Sequence, residues 1–255
     1  MLIIKRIAVM KKLIYCLVCA VLCAGGSVYA KNKVFKKRYG SRTIFVRQKR
    51  TGGNIGGTAL AGKELEQASI RFFEMMDKVP PKLISASGLR QVGFYKNLRL
   101  NKVSAGGIAS GNIMYLSENF SEYTFYHELF HIFDNVSRST RWCKFNHKEF
   151  VYTGSDFYSK NSSGRKAAKK QKNLEEKRFD NDFVSRYAMS NEKEDRAETF
   201  AAMMVEGAKF LARAQKSDVI KKKMQYIIEV TGNSRVLGKH FWSEYLGIDP
   251  ETYFR

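Results

Sequence analysis

Residues 121–134 read Ser-Glu-Tyr-Thr-Phe-Tyr-His-Glu-Leu-Phe-His-Ile-Phe-Asp, and the spacing within this stretch decides how the rest is read. Ser121 is a good N-cap, and Glu122 suits the positive first turn of a helix. Tyr126, Leu129, Phe130 and Phe133 then form an apolar helical face. His127 and His131 are four apart, so they lie one turn apart on one face and both imidazoles reach one metal ion. Glu128 is rotated about 100° from His127 and comes beside that ion, where a carboxylate takes a proton from water. The chain has four histidines, and a chance His-Glu-x-x-His occurs in about one such chain in three hundred. The surroundings must therefore carry the rest of the argument.

A catalytic zinc takes three protein ligands and keeps one position open. No Gly-x-x-His follows His131, so the third ligand comes from farther along the chain. His147 and His240 are isolated and read as structural residues. The stretch from Tyr187 to Ala202 is the better source. Glu194 and Glu198 are four apart and share a helical face. One can bind the metal while the other hydrogen-bonds the second nitrogen of a ligand histidine. Glu198 is set among Ala197, Phe200, Ala201 and Met203, and a carboxylate on so apolar a turn needs a partner.

Together, the His127–His131 motif and the run Ser-Arg-Tyr-Ala-Met-Ser-Asn-Glu-Lys-Glu-Asp-Arg-Ala-Glu-Thr-Phe-Ala from Ser185 resemble the bacterial family of lethal-factor-like peptidases, which are gluzincins. In that family a tyrosine lies seven residues before the ligand glutamate, and a second glutamate lies four after it; Tyr187, Glu194 and Glu198 match both spacings. The resemblance covers roughly residues 100–210. It implies that His127, His131 and Glu194 bind Zn2+, that Glu128 is the general base, that Tyr187 assists at the transition state, and that Glu198 supports a ligand histidine from behind. The resemblance does not extend to the large delivery and recognition domains of the toxin for which that family is named, so a toxin's entry route and substrate are not expected to carry over.

Upstream, Lys5-Arg6 and Lys11-Lys12 precede an apolar run from Leu13 to Ala24 and then Val28-Tyr29-Ala30. This order predicts a signal peptide over residues 1–30, starting at Met1 or Met10 and cleaved after Ala30. The run is short for a membrane anchor, which needs about 20 residues. Cys16, Cys19 and Cys23 lie inside it without a lipobox, which leaves Cys143 as the one cysteine of the mature chain, read as a small buried hydrophobe. The expected location is periplasmic or extracellular, with no transmembrane anchor after cleavage and a monomeric state.

Formal net charge is +21, which favours an anionic surface or an acidic partner. No zinc knuckle, RNA-binding signature or helix-turn-helix accompanies it, so specific nucleic-acid recognition is not expected. Residues 31–57 are basic and glycine-rich, with one strand at Thr43–Val46, and read as a flexible or pro-segment. The peptidase domain is placed at 58–255. Within it, helical spacing runs from Thr58 to Pro80 through Leu65, Ile70, Phe73 and Met76. Strands are expected at Leu83–Ser85, Val92–Tyr95 and Ile113–Leu116, with turns at Gly106-Gly107 and Gly111-Asn112. Loop is expected over 135–160, an exposed basic insertion or helix over 159–178, helices near 192–208 and 216–230, and a short last helix that holds Phe241, Trp242 and Leu246.

The predicted fold is α+β and zincin-like: a small mixed sheet ahead of the His-Glu-x-x-His helix, then a mostly helical C-terminal half. The expected activity is zinc-dependent endopeptidase cleavage of a peptide or protein substrate, with an extended substrate pairing along the strand at Ile113–Leu116. Two other readings keep the site and change its use. One is a non-catalytic binding protein for anionic envelope polymers, and the other an effector or toxin protease acting on a host protein.

Overall fold

The computed structural model describes residues 36–48, 53–134, 141–154, 179–232, 237 and 240–247. The predicted signal peptide and basic 159–178 segment lie outside them.

A mixed sheet comes first. Its strands are β1 (Lys36–Tyr39), β2 (Arg42–Val46), β3 (Ile55–Ala59), β4 (Gln91–Leu100), β5 (Val103–Ser104), β6 (Gly107–Ser110) and β7 (Ile113–Ser117). The main order is β1-β2-β4-β7-β6, with β3 and β5 pairing along the far end of β4. β4 runs parallel to β2 and to β7, and β6 runs antiparallel to β7 with Gly107 opposite Leu116. The N-terminal segment expected to be largely loose therefore contributes three strands, Lys36–Tyr39, Arg42–Val46 and Ile55–Ala59.

Alternation along the strands sorts their two faces. Val92, Phe94, Met114 and Leu116 join the main core under the helices, while Tyr95, Leu98 and Ile108 form a small cluster on the opposite face. Helix α1 (Gly62–Lys78) covers the first face through Ala68, Ser69, Phe72 and Met76. Its buried face is turned from the expected one, leaving Ile70 53% exposed. Phe72 stands edge-on to Phe94 and Phe125 at ring separations of 5.9 and 5.7 Å. Each such ring contributes about 1.5–3 kcal/mol by leaving water.

The apolar run at Leu83–Ser85, expected as a strand, belongs instead to helix α2 (Pro81–Ser87). Pro81 sits in its first turn, where the missing N–H costs nothing, and Gly88 closes it at φ 83°. Leu83 and Ile84 are buried by that helix. The motif helix α3 spans Glu122–Asp134.

After it come 3₁₀ turns at Trp142–Phe145, Asp180–Asp182 and Tyr187–Met189. The helices that follow are α4 (Glu192–Glu206), α5 (Ala208–Ala214), α6 (Asp218–Thr231) and α7 (Phe241–Leu246). The α+β architecture and the helical C-terminal half are as expected; α5 is additional. α3 packs on α4 through Phe130 and Phe200, whose rings stack at 4.8 Å. That contact sets the spacing between the two chemical segments. No helix among the described residues is long and apolar enough to cross a membrane.

Candidate metal centre

α3 opens on a side-chain cap: the Thr124 N–H donates to Ser121 Oγ at 3.0 Å. From there, one helical turn brings His127 and His131 to the same side. α4 opens on Asn191, whose Oδ1 accepts from the N–H groups of Lys193 and Glu194 at 3.0 and 3.1 Å. The cap fixes the first turn of α4 and with it the Cα of Glu194.

The two helices bring three ligand atoms together. His127 Nε2, His131 Nε2 and Glu194 Oε2 stand 3.0 Å apart in each pairing. Tetrahedral zinc about 2.0–2.1 Å from each ligand separates them by roughly 3.3 Å, so this triangle has the scale of a zinc site. Among the described residues this is the one cluster of three such side chains able to hold a metal ion.

The electrostatics also favour a cation. Burial lowers the His127 pKa, but the close contacts with the Glu194 and Glu198 carboxylates and the Glu128 charge outweigh it, pushing the imidazole up to about 10. Burial raises the Glu194 carboxyl, while its hydrogen bonds with the two histidines hold it below the ordinary carboxylate range. The raised imidazole marks a negative potential at His127, and the lowered carboxyl marks the donors that the two histidines present to Glu194. Two imidazoles and a carboxylate are also a usual donor set for catalytic zinc.

Glu198 stands behind His127, its Oε1 2.7 Å from Nδ1. The N–H does not point straight at that oxygen, so the contact is one of charge more than a linear hydrogen bond. Glu198 Oε2 accepts from the Tyr123 hydroxyl at 3.1 Å and from Ser185 Oγ. Burial, reinforced by the Glu198 charge, drives the Tyr123 pKa up, so its proton stays on. Tyr123 and Ser185 were not anticipated. Tyr123 precedes His127 by four residues and so shares its face, a signal present in the sequence; nothing local marks Ser185.

Glu128 is 6% exposed. Burial raises its pKa, while the Ala109 N–H, from β6, hydrogen-bonds the carboxylate and draws it down. β6 also supplies Gly107, where an added Cβ would lie 2.5 Å from Glu128 Cγ. Expected as part of a turn, Gly107 begins a strand and gives Glu128 its space. Tyr187 lies over His127 with ring centroids 5.8 Å apart and 29° between planes. All six predicted site residues thus line one cleft of about 660 Å³, together with Gly107, Ala109 and Tyr123.

Other expectations fare differently. His147 lies outside the cluster, with Nε2 3.1 Å from Asp182 Oδ2 and its ring stacked on Phe179. His240 precedes α7 and is exposed. Cys143, read as buried, is exposed and donates to Glu192 Oε2 at 3.2 Å. The strand Ile113–Ser117 has neighbours on both sides, so it cannot accept a substrate strand; among the described residues the edges of the main order are β1 and β6, and β6 is the one that meets Glu128.

A family model described as "Putative zinc-binding metallo-peptidase" matches residues 78–244, from the end of α1 to α7. The chain belongs to this family. The matched span includes both helices of the metal centre and the edge strand β6. Curated proteins and solved structures give no match.

Proposed function

We propose that the protein is an exported zinc-dependent endopeptidase of the lethal-factor-like gluzincin kind. One observation carries this reading: His127 Nε2, His131 Nε2 and Glu194 Oε2 converge at 3.0 Å beside the buried carboxylate of Glu128. His127, His131 and Glu194 would hold the metal, and Glu198 would fix the His127 ring through Nδ1. When bound, zinc supplies a Lewis acid that acidifies water and polarises the scissile carbonyl.

The remaining steps belong to the chain. Glu128 takes the proton from the attacking water and returns it to the leaving amine nitrogen. Its burial-raised pKa suits that return, since a weaker acid keeps the proton until the amine needs it. The Tyr187 hydroxyl donates to the oxyanion as charge develops there. An extended substrate adds to the free side of β6, placing its backbone beside Glu128. Export follows from the basic and apolar pattern of residues 1–30.

The test uses unfolded casein with wild-type protein, Glu128→Gln and a chelator-treated sample. Cleavage by the wild type alone supports peptide hydrolysis at this site. Equal cleavage by Glu128→Gln would remove Glu128 as base, and zinc binding without any cleavage would favour a binding protein.

A further inference from the structure

One charged group in the cleft has no internal partner. Lys193 lines the cleft and is exposed, and among the described residues no carboxylate or carbonyl accepts from its ammonium. Both flanking acids are engaged elsewhere. Glu192 pairs with Arg196 through one oxygen and accepts from Cys143 through the other. Glu194 faces the two histidines. Some lysines elsewhere do pair: Lys37 with Asp77, Lys78 with Glu122, Lys96 with Glu64.

The Lys193 backbone is held in place. Its N–H donates to Asn191 Oδ1, and it adjoins Glu194 in the same first turn. The Lys193 backbone is thus fixed one residue from Glu194, and its side chain reaches into the cleft from there. The other charged side chains lining the cleft are His127, His131, Glu128, Glu194 and Glu198, and all five take part in the cluster itself.

We propose that Lys193 receives a carboxylate of the substrate, so that the cleft selects acidic peptides. The inference deepens the peptidase reading and rests on it for the identity of the ligand. It also gives the strongly positive net charge, +21 for the full sequence and +17 once the four lysines and arginines of residues 1–30 are set aside, a local counterpart: the whole surface attracts anionic chains, and Lys193 reads a carboxylate in the cleft. The carboxylate can come from an Asp or Glu side chain or from the peptide's own C-terminus.

The test measures binding, so it does not depend on turnover. Zinc-loaded full chain carrying Glu128→Gln is titrated calorimetrically with N-acetylated alanine-glycine octapeptides bearing one Glu, or one Gln, at each position in turn. Each is made with an amidated and with a free C-terminus, which separates the two sources. For at least one position or terminus, the acidic peptide is expected to bind roughly two- to five-fold tighter than its neutral twin, the range of a partly exposed ion pair. Adding Lys193→Glu reverses the preference, and adding Lys222→Glu, an equal charge reversal outside the cleft, preserves it. The proposal is overturned if the ratio is the same with Lys193→Glu, if Lys222→Glu abolishes it equally, or if no peptide binds. Parallel cleavage assays on the wild type keep the two readings apart. Charge-selective binding without cleavage sinks the peptidase reading alone, and cleavage without charge selectivity sinks only the role of Lys193.

Discussion

Gly107 and Glu128 are packed so closely that any side chain at position 107 would invade the glutamate: an added Cβ would lie 2.5 Å from Cγ and 2.8 Å from Oε1. The edge strand and the proposed base are thus fitted to each other. Gly107→Ala is expected to push the carboxylate aside while leaving His127, His131 and Glu194 in place. Peptidase kcat should fall by about tenfold or more, since a misplacement of about 1 Å is enough for such a loss. Metal content should not change. Steady-state kinetics beside elemental analysis checks both halves, and loss of metal would show that Gly107 acts on the ligands.

Glu198 is held by Tyr123 and Ser185 on one side and touches His127 on the other. Removing an orienting partner of a ligand histidine costs about 10- to 100-fold in metal affinity. Glu198→Gln is expected in that range. Tyr123→Phe should cost less, because Ser185 still donates to the same oxygen. Competition with a chromogenic chelator gives the dissociation constants, and an unchanged value for Glu198→Gln would remove its supporting role.

The first turns of α4 are pinned by two buried ion pairs. Lys223 Nζ lies 2.9 Å from Asp195 Oδ2, which also accepts from Trp142 and Tyr152 at 2.8 Å. Arg196 pairs with Asp134 at 2.9 Å, tying α4 to the end of α3. Lys223→Met leaves the fully buried Asp195 without its cation, and such a break costs about 3–5 kcal/mol. Chemical denaturation should show a loss on that scale. Adding Asp195→Asn should recover part of it, whereas a loss under about 1 kcal/mol would mean that the pair does not hold α4.

Cys143 is exposed yet expected to be sluggish. Desolvation, then the hydrogen bond to Glu192, pushes its pKa up to about 11. An ordinary thiol near 8.5 would alkylate on the order of 100-fold faster at pH 8. Labelling of the Cys143 peptide by iodoacetamide, followed by mass spectrometry from pH 7 to 10, should rise about tenfold per pH unit across the range. A plateau near pH 9 would contradict this, and Glu192→Gln should accelerate labelling.

The sequence exposed the chemistry better than the sheet, for physical reasons. His127, Glu128 and His131 lie within one turn, and Glu194 and Glu198 within another, so helical geometry alone fixes their faces. The capping residues Ser121 and Asn191 are likewise local. Strand order is not local: Ile113–Leu116 reads as a strand and Gly106-Gly107 as a turn, and only the pairing of Ile113–Ser117 with β4 on one side and Gly107–Ser110 on the other makes the first interior and the second an edge. Leu83–Ser85 misleads because a buried apolar run suits a strand or a helix, and the decision lies in Pro81 and Gly88 at its ends. Ser185 and Gly107 act on residues 13 and 21 positions away, a separation over which no sequence periodicity operates.

Two carboxylates stand next to the histidines, Glu194 at the two Nε2 atoms and Glu198 at the Nδ1 behind them, and Glu194 is the one expected to complete the metal site. Zinc per chain, measured by inductively coupled plasma mass spectrometry on Glu194→Ala and Glu198→Ala after equal zinc loading and desalting, tests it directly. The account predicts about one zinc in the wild type, essentially none in Glu194→Ala and a partial content in Glu198→Ala. Full occupancy in Glu194→Ala with loss in Glu198→Ala, or no zinc in the wild type, would contradict it.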